Sequence, residues 1–196
     1  MRVNLPGLYN VYNALAAAAV AAEAGVGLAE ISRGLREFGG AFGRVERVGA
    51  GDKEAFLLLI KNPVGFNEIL RTFVTGGEAR NVLIAINDNH ADGRDVSWLW
   101  DVDFEMLADA RSEGRTHGMQ PFMVTGIRAE DMAVRLKYAD LPVGSVIPDR
   151  KEAIKAALDA TPPGETVYVL PTYTAMLEIR KTLSEMGYTH PFWEDK

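Results

Sequence analysis

The chain has no cysteine. That excludes a disulfide scaffold, a thiolate zinc site and a cysteine nucleophile of its own. A reducing, cytosolic setting is the default expectation, although a cysteine-free chain suits either compartment. Long hydrophobic runs are also missing. The longest, Ala14–Ala22, is about half of the ~20 residues that cross a bilayer. The opening Met1-Arg2-Val3-Asn4-Leu5-Pro6 lacks the apolar stretch of a signal sequence. Positive charge is scarce, with 21 Lys+Arg against 27 Asp+Glu in 196 residues and a net charge of −6. A general nucleic-acid binder needs a basic face to displace counterions, so no nucleic acid is expected as a partner. What the chain does have is a hydrophobic content of 47%, which builds the core of about one domain with a small appendage.

The first segment is rich in alanine and reads as a helix from Asn10, as its cap, to about Ala24, with Gly25 and Gly27 ending it. Asn10 and Asn13 lie three apart and share one side of its first turn. Leu28–Phe38 is a second short helix with Ile31, Leu35 and Phe38 on one stripe. Gly39-Gly40-Ala41-Phe42-Gly43 is a flexible break, and the domain boundary is placed there, separating residues 1–43 from 44–196. Beyond it, the apolar run within Glu54–Ile60 predicts a strand buried on both faces, Val82–Ile86 a second buried strand, and Phe122–Val124, Val143–Ile147 and Val167–Leu170 three more strands. Helices are expected from Asn62-Pro63, with Val64, Ile69 and Phe73 inward, and over Ala129–Tyr138, Lys151–Leu158 and Tyr173–Met186. Alternation of this kind implies crossover connections and a doubly wound, mostly parallel α/β sheet. Ligands of such sheets sit beyond the carboxyl ends of the strands.

The longest segment in such a position is Asn87–Asp101. It holds Asp88, Asp92, Asp95 and Asp101 together with His90, Arg94, Trp98 and Trp100. Connections of this length are more often functional than short ones. Three readings remain open: a solvated acidic loop pinned by tryptophan, a divalent-metal site whose spacing matches no calcium loop, or one aspartate that orients a histidine supplied elsewhere. His117 and His190 fall in separate loops and read as solvent-exposed. Ser97 is not a nucleophile, because no glycine-flanked serine elbow is present. The glycines at 39–43 are not a phosphate loop, because no Gly-Lys-Ser/Thr follows. Arg44 suits a phosphate contact at the domain junction, and a surface salt bridge to Glu46 or Glu37 is the plainer reading.

Leu5-Pro6-Gly7-Leu8-Tyr9-Asn10-Val11-Tyr12-Asn13-Ala14-Leu15-Ala16-Ala17 resembles the end of the central ATPase domain of Mur-type peptide ligases, and Gly43-Arg44-Val45-Glu46 the junction into their C-terminal, Rossmann-like domain. Lys61-Asn62-Pro63-Val64-Gly65-Phe66-Asn67, the Asn87–Asp101 stretch with Asp103-Phe104-Glu105, and Val124–Glu130 are similar to one branch, the MurT family of lipid II isoglutaminyl synthase subunits. The resemblance implies an ATP- and Mg2+-dependent ligase that amidates the α-carboxylate of D-glutamate in the lipid II stem peptide at the inner face of the membrane. It implies a GatD-type glutaminase partner, which supplies ammonia from glutamine by a cysteine–histidine pair. It assigns the third triad member to the second aspartate of Asp-Gly-Arg-Asp, here Asp95, and nucleotide contacts to Asn10, Asn13 and Arg44. The typical Asp-Tyr-Ala-His-Asn-Pro is replaced here by Leu58-Leu59-Ile60-Lys61-Asn62-Pro63, a departure that MurT shares. The family's phosphate loop, magnesium carboxylates and zinc insert have no counterpart in this sequence, so the chain by itself is expected to require no cofactor and to amidate nothing. Two alternatives stand beside this reading: a non-catalytic docking module, and the C-terminal nucleotide-binding domain of a folate- or Mur-type amino-acid ligase.

Overall fold

A computed structural model describes residues 3, 7–38, 45–76, 79–116 and 118–190. The break at Gly39–Gly43, Arg44, His117 and part of the Leu5–Tyr9 turn lie outside the described residues.

The apolar runs form a six-stranded sheet. Its strands are β1 (Val45–Ala50), β2 (Lys53–Leu58), β3 (Asn81–Ala85), β4 (Phe122–Thr125), β5 (Val143–Val146) and β6 (Thr166–Pro171), in the spatial order β1-β2-β6-β3-β4-β5. All neighbours are parallel except β1 and β2, which pair antiparallel across a tight turn at Gly51-Asp52. Gly51 has φ +69°, the left-handed conformation that glycine adopts without penalty. The sequence pattern does not predict β1. Its Val-Glu-Arg-Val-Gly-Ala stretch carries too few apolar residues to stand out, since an edge strand buries only one side.

Alternate residues of the inner strands feed two separate cores. Phe56, Leu58, Val82, Ile84, Tyr168 and Leu170 face α3 (Pro63–Ile69), α4 (Glu105–Ser112) and α5 (Ala129–Tyr138). Ala55, Leu57, Leu83, Ala85, Val167 and Val169 face α6 (Arg150–Ala160) and α7 (Tyr173–Glu185). The doubly wound architecture is as expected. A π-helical turn, Leu70–Val74, extends α3. Val64 does not point inward: it is 74% exposed, while Phe66, Ile69, Leu70 and Phe73 are buried. Two residues of helix rotate a side chain by roughly 200°, so Val64 and Phe66 cannot share a face.

The order of the strands fixes where loops diverge. β6 lies between β2 and β3, yet its following helix packs on the face opposite to theirs. Chains leaving the carboxyl ends of β3 and β6 therefore part to opposite sides and leave a crevice between them.

The preceding helices are α1 (Leu8–Glu23) and α2 (Leu28–Glu37), packed on each other. Asn10 is not the cap of α1. The helix begins two residues earlier, Gly7 with φ +94° takes the capping position, and the Asn10 amide donates to the Gly7 carbonyl (3.1 Å). Gly25 ends the helix with φ +87° as expected. On α2, Ile31 is buried and Leu35 half-buried. Phe38 lies past the last helical turn in extended backbone and is exposed, so it leaves the stripe. Among the described residues no helix is long and apolar enough to cross a membrane.

Candidate functional site

The chain between β3 and α4 runs along the carboxyl edge of the sheet and is fastened at both ends. At its start, Asn87 is buried. Its backbone N–H donates to Thr172 Oγ1 (3.0 Å), its Oδ1 accepts from the Ile127 N–H (3.1 Å), and its Nδ2 donates to Thr174 Oγ1 (3.0 Å). One amide side chain thus joins the loops after β3, β4 and β6. Gly126 makes this approach possible. Its φ is +100°, and a Cβ there would lie 2.3 Å from the Ile86 carbonyl oxygen and 2.9 Å from Asn87 Oδ1.

At the far end, Arg135 of α5 is buried beneath the 3-10 turn Ser97–Asp101. It donates to the carbonyls of Leu99 (Nε, 3.1 Å) and Val102 (Nη2, 2.6 Å) and pairs with both oxygens of Glu105 (2.9 and 2.8 Å). Its guanidinium also lies over the rings of Trp100 and Phe104, at 5.5 and 5.2 Å. Hydrogen bonds from Arg135 hold the Glu105 carboxyl below its usual range. Asn67 Oδ1 accepts from the Asp103 N–H (2.9 Å).

Between these fastenings stands Asp95. Its carboxylate is fully exposed, and Oδ1 accepts from the Ser97 N–H at 2.8 Å. The donors of Ser97, backbone first and hydroxyl second, hold its carboxyl below the ordinary value of 3.8, so it is ionised at neutral pH. Among the described residues no arginine or lysine pairs with it. Arg128 sits 3.6 Å from Asp88 and 3.5 Å from Asp131, and Arg94 reaches His90 Nε2 at 3.3 Å.

The other acidic residues of the loop do different work. Asp92 accepts from Thr174 twice and from the Asn89 N–H, and Asp88 faces Arg128. Among the described residues no three His, Asp or Glu side chains converge closely enough to hold a metal ion. Trp98 packs against the core beside Phe66 (ring centroids 6.4 Å), whereas Trp100 is 53% exposed and meets Tyr138 edge to face (5.4 Å). His190 is exposed, as expected.

Asn10 is buried and Asn13 exposed on the same helix, and Arg44 is outside the described residues. Glu46, a suggested partner for Arg44, is gripped by Arg180 Nε at 2.9 and 3.2 Å. Four residues of the site are not singled out by the sequence pattern. Asn87 and Asp92 were seen only as members of a polar stretch. Arg135 looks like any helix-surface arginine, and Thr174 is 82 residues from its partner Asp92. The one local signal was a buried-strand run ending directly on an asparagine, Ile86-Asn87.

The chain is 35% identical over 184 residues to the MurT subunit of lipid II isoglutaminyl synthase from Streptococcus pneumoniae, covering 93% of this chain and 39% of that protein. It is 32% identical over 182 residues to the same subunit from Staphylococcus aureus, covering 93% of this chain and 40% of that protein. It thus spans about two fifths of the length of these relatives. In fold it resembles a pseudomurein peptide ligase type C from Methanothermus fervidus, with a TM-score of 0.69 and 19% identity over 95% of this chain and 37% of that one. A family model, the MurT ligase C-terminal domain, matches residues 59–176, well over half of the sequence. The chain belongs to the MurT ligase C-terminal family.

Proposed function

We propose that this chain is the glutaminase-facing part of a lipid II isoglutaminyl synthase, and that Asp95 completes the partner's cysteine–histidine triad. The whole ligase would use ATP to place ammonia from glutamine on the D-glutamate α-carboxylate of lipid II, at the inner face of the membrane. Residues 1–43 are then the end of the preceding ATPase domain, and 44–196 the docking domain. In support of that division, the α1–α2 pair presents Tyr12, Leu15, Val20 and Leu28 to the outside, a surface suited to burial against further protein.

One observation carries the proposal: an ionised, unpaired carboxylate stands exposed on a loop that is bolted down on either side. A carboxylate that serves a histidine accepts its N–H. It thereby selects the tautomer whose other nitrogen faces the thiol, and it stabilises the imidazolium when the cysteine loses its proton. That task demands a charge with no competing cation and a fixed position. Asp95 meets both conditions. A generic amino-acid ligase gives no reason for an exposed aspartate held in this way, which sets the folate-type alternative behind.

The test is Asp95→Asn in the full-length subunit assembled with its glutaminase. The amide keeps the shape and the Ser97 hydrogen bond but offers the histidine a mixed donor and acceptor. In serine proteases the equivalent change costs roughly 10⁴ in turnover. A fall of that order in ammonia release, with subunit affinity intact, is expected. Turnover unchanged from the parent would falsify the assignment.

A further inference from the structure

The crevice beside β6, where open α/β sheets usually receive a ligand, is occupied in this chain by its own side chains. Thr174, in the first turn of α7, is their centre. Its hydroxyl donates to Asp92 Oδ2 (2.5 Å) and accepts from Asn87 Nδ2 (3.0 Å) and Asn89 Nδ2 (2.9 Å). A hydroxyl has one proton and two lone pairs, and all three are used. The directions are fixed independently. The Asn87 oxygen is engaged by the Ile127 N–H, which turns its amine toward Thr174. Asp92, acceptor only when ionised, obliges the threonine proton to point at it.

Asp92 does a second job. Its Oδ1 accepts from the Thr174 N–H at 2.7 Å. That amide is one of the unpaired donors at the start of α7, where the Thr172 side chain makes no cap. The loop carboxylate therefore caps a helix from the other side of the crevice, and Oδ2 also accepts from the Asn89 N–H (3.2 Å). Only Gly93, with φ +94°, and Arg94 separate this anchor from Asp95.

We infer that Thr174 is a positioning residue: its saturated hydroxyl, through Asp92, sets the height and direction of the Asp95 carboxylate. It touches neither glutamine nor the partner's nucleophile. This inference rests on the triad role of Asp95 proposed above. Threonine is suited to the position because serine would make the same bonds with more rotamer freedom, whereas valine has the same shape and none of them.

The experiment uses the full-length subunit assembled with its glutaminase and compares Thr174→Val, Thr174→Ser and Asp92→Asn, with Asp95→Asn alongside. Glutamine turnover, KM for glutamine, subunit affinity and thermal midpoint are measured for each. A displacement of about 1 Å at a catalytic group costs up to roughly 100-fold in rate. Thr174→Val is therefore expected to lower kcat by about 10- to 100-fold, with KM and subunit affinity within about twofold of the parent. Thr174→Ser should recover most of that loss. Asp92→Asn should behave like Thr174→Val, because its amide presents a third donor to a hydroxyl with two lone pairs. It also keeps an oxygen for the Thr174 N–H, so it tests the hub even if the valine variant does not fold. The inference is overturned if Thr174→Val and Asp92→Asn turn over like the parent, if serine fails as badly as valine, or if kcat falls only in step with subunit affinity. Should Asp95→Asn itself be neutral, the triad assignment falls and the hub inference with it. Should Asp95→Asn be inactive and both hub variants normal, the hub inference alone falls.

Discussion

Arg135→Met is the most informative single change to the fold beneath the site. Methionine keeps an unbranched apolar stem in the space beside Phe104 and Trp100 and removes the guanidinium. Two buried carbonyls, of Leu99 and Val102, then lose their charged donor. A hydrogen bond to a charged group contributes about 1.5–3 kcal/mol, and leaving the acceptor buried forfeits that in full. The two together give a loss of roughly 3–6 kcal/mol. The Glu105 pairing adds little, because that side chain is 55% exposed and screened pairs contribute about 0–1 kcal/mol. Urea denaturation of the 196-residue chain measures the difference. By heat, each kcal/mol corresponds to about 2–4 °C at this size. Arg135→Lys should fall between, since one ammonium reaches one carbonyl and not both. A Met variant within about 1 kcal/mol of the parent would refute this account. So would Glu105→Gln alone reproducing the whole loss, which would place the energy in the ion pair.

Gly126→Ala is expected to destabilise by more than about 2 kcal/mol, combining the cost of a positive φ with a clash against the Ile86 carbonyl; a change below 1 kcal/mol in urea denaturation would contradict the tight approach. Glu105 has a depressed pKa in the fold, so its contribution is full above the ordinary value of 4.5 and is lost as pH falls through the folded value. The stability gap between parent and Glu105→Gln should be constant at neutral pH and shrink below pH 4.5, as followed by denaturation midpoints from pH 7 to 3.

The parts of this fold that could be read from sequence are those where one physical term dominates. Val82–Ile86 is an aliphatic run and Val167–Leu170 an apolar one interrupted by no charge, because both faces of a central parallel strand are buried, and they fall on β3 and β6 of the structure. Val45–Ala50 is an edge strand with Glu46 and Arg47 along it, and its identity as a strand depends on pairing with β2. Local pattern could not supply that. Placing Asn10 as a cap failed for a related reason: asparagine is a good cap, but the backbone had already turned three residues earlier, at Gly7. Asp95 stood out through its motif and its loop. The groups that hold the loop did not, because Asn87 with Thr174, and Arg135 with Leu99, meet across 87 and 36 residues of chain.

The topology also explains why a carboxylate can stand unneutralised at this edge. Placing β6 between β2 and β3 opens a crevice, and closing it with Asn87, Asn89, Asp92 and Thr174 consumes polar groups rather than charged pairs. The two nearby arginines are diverted: Arg128 faces Asp88 and Asp131, and Arg94 meets His90. Had either reached Asp95, its charge would have competed with an incoming imidazole for the same oxygens. The neutral donors of Ser97 hold the carboxylate instead, and they lower its pKa without cancelling the charge. A residue stabilised in that way keeps its full field for a visitor. Val96 is half-buried against the core, so a cation there is compared with an uncharged change of the same packing: Val96→Arg is expected to lower glutaminase turnover in the assembled complex further than Val96→Met does. Equal turnover in the two variants would show that competition for the carboxylate does not matter.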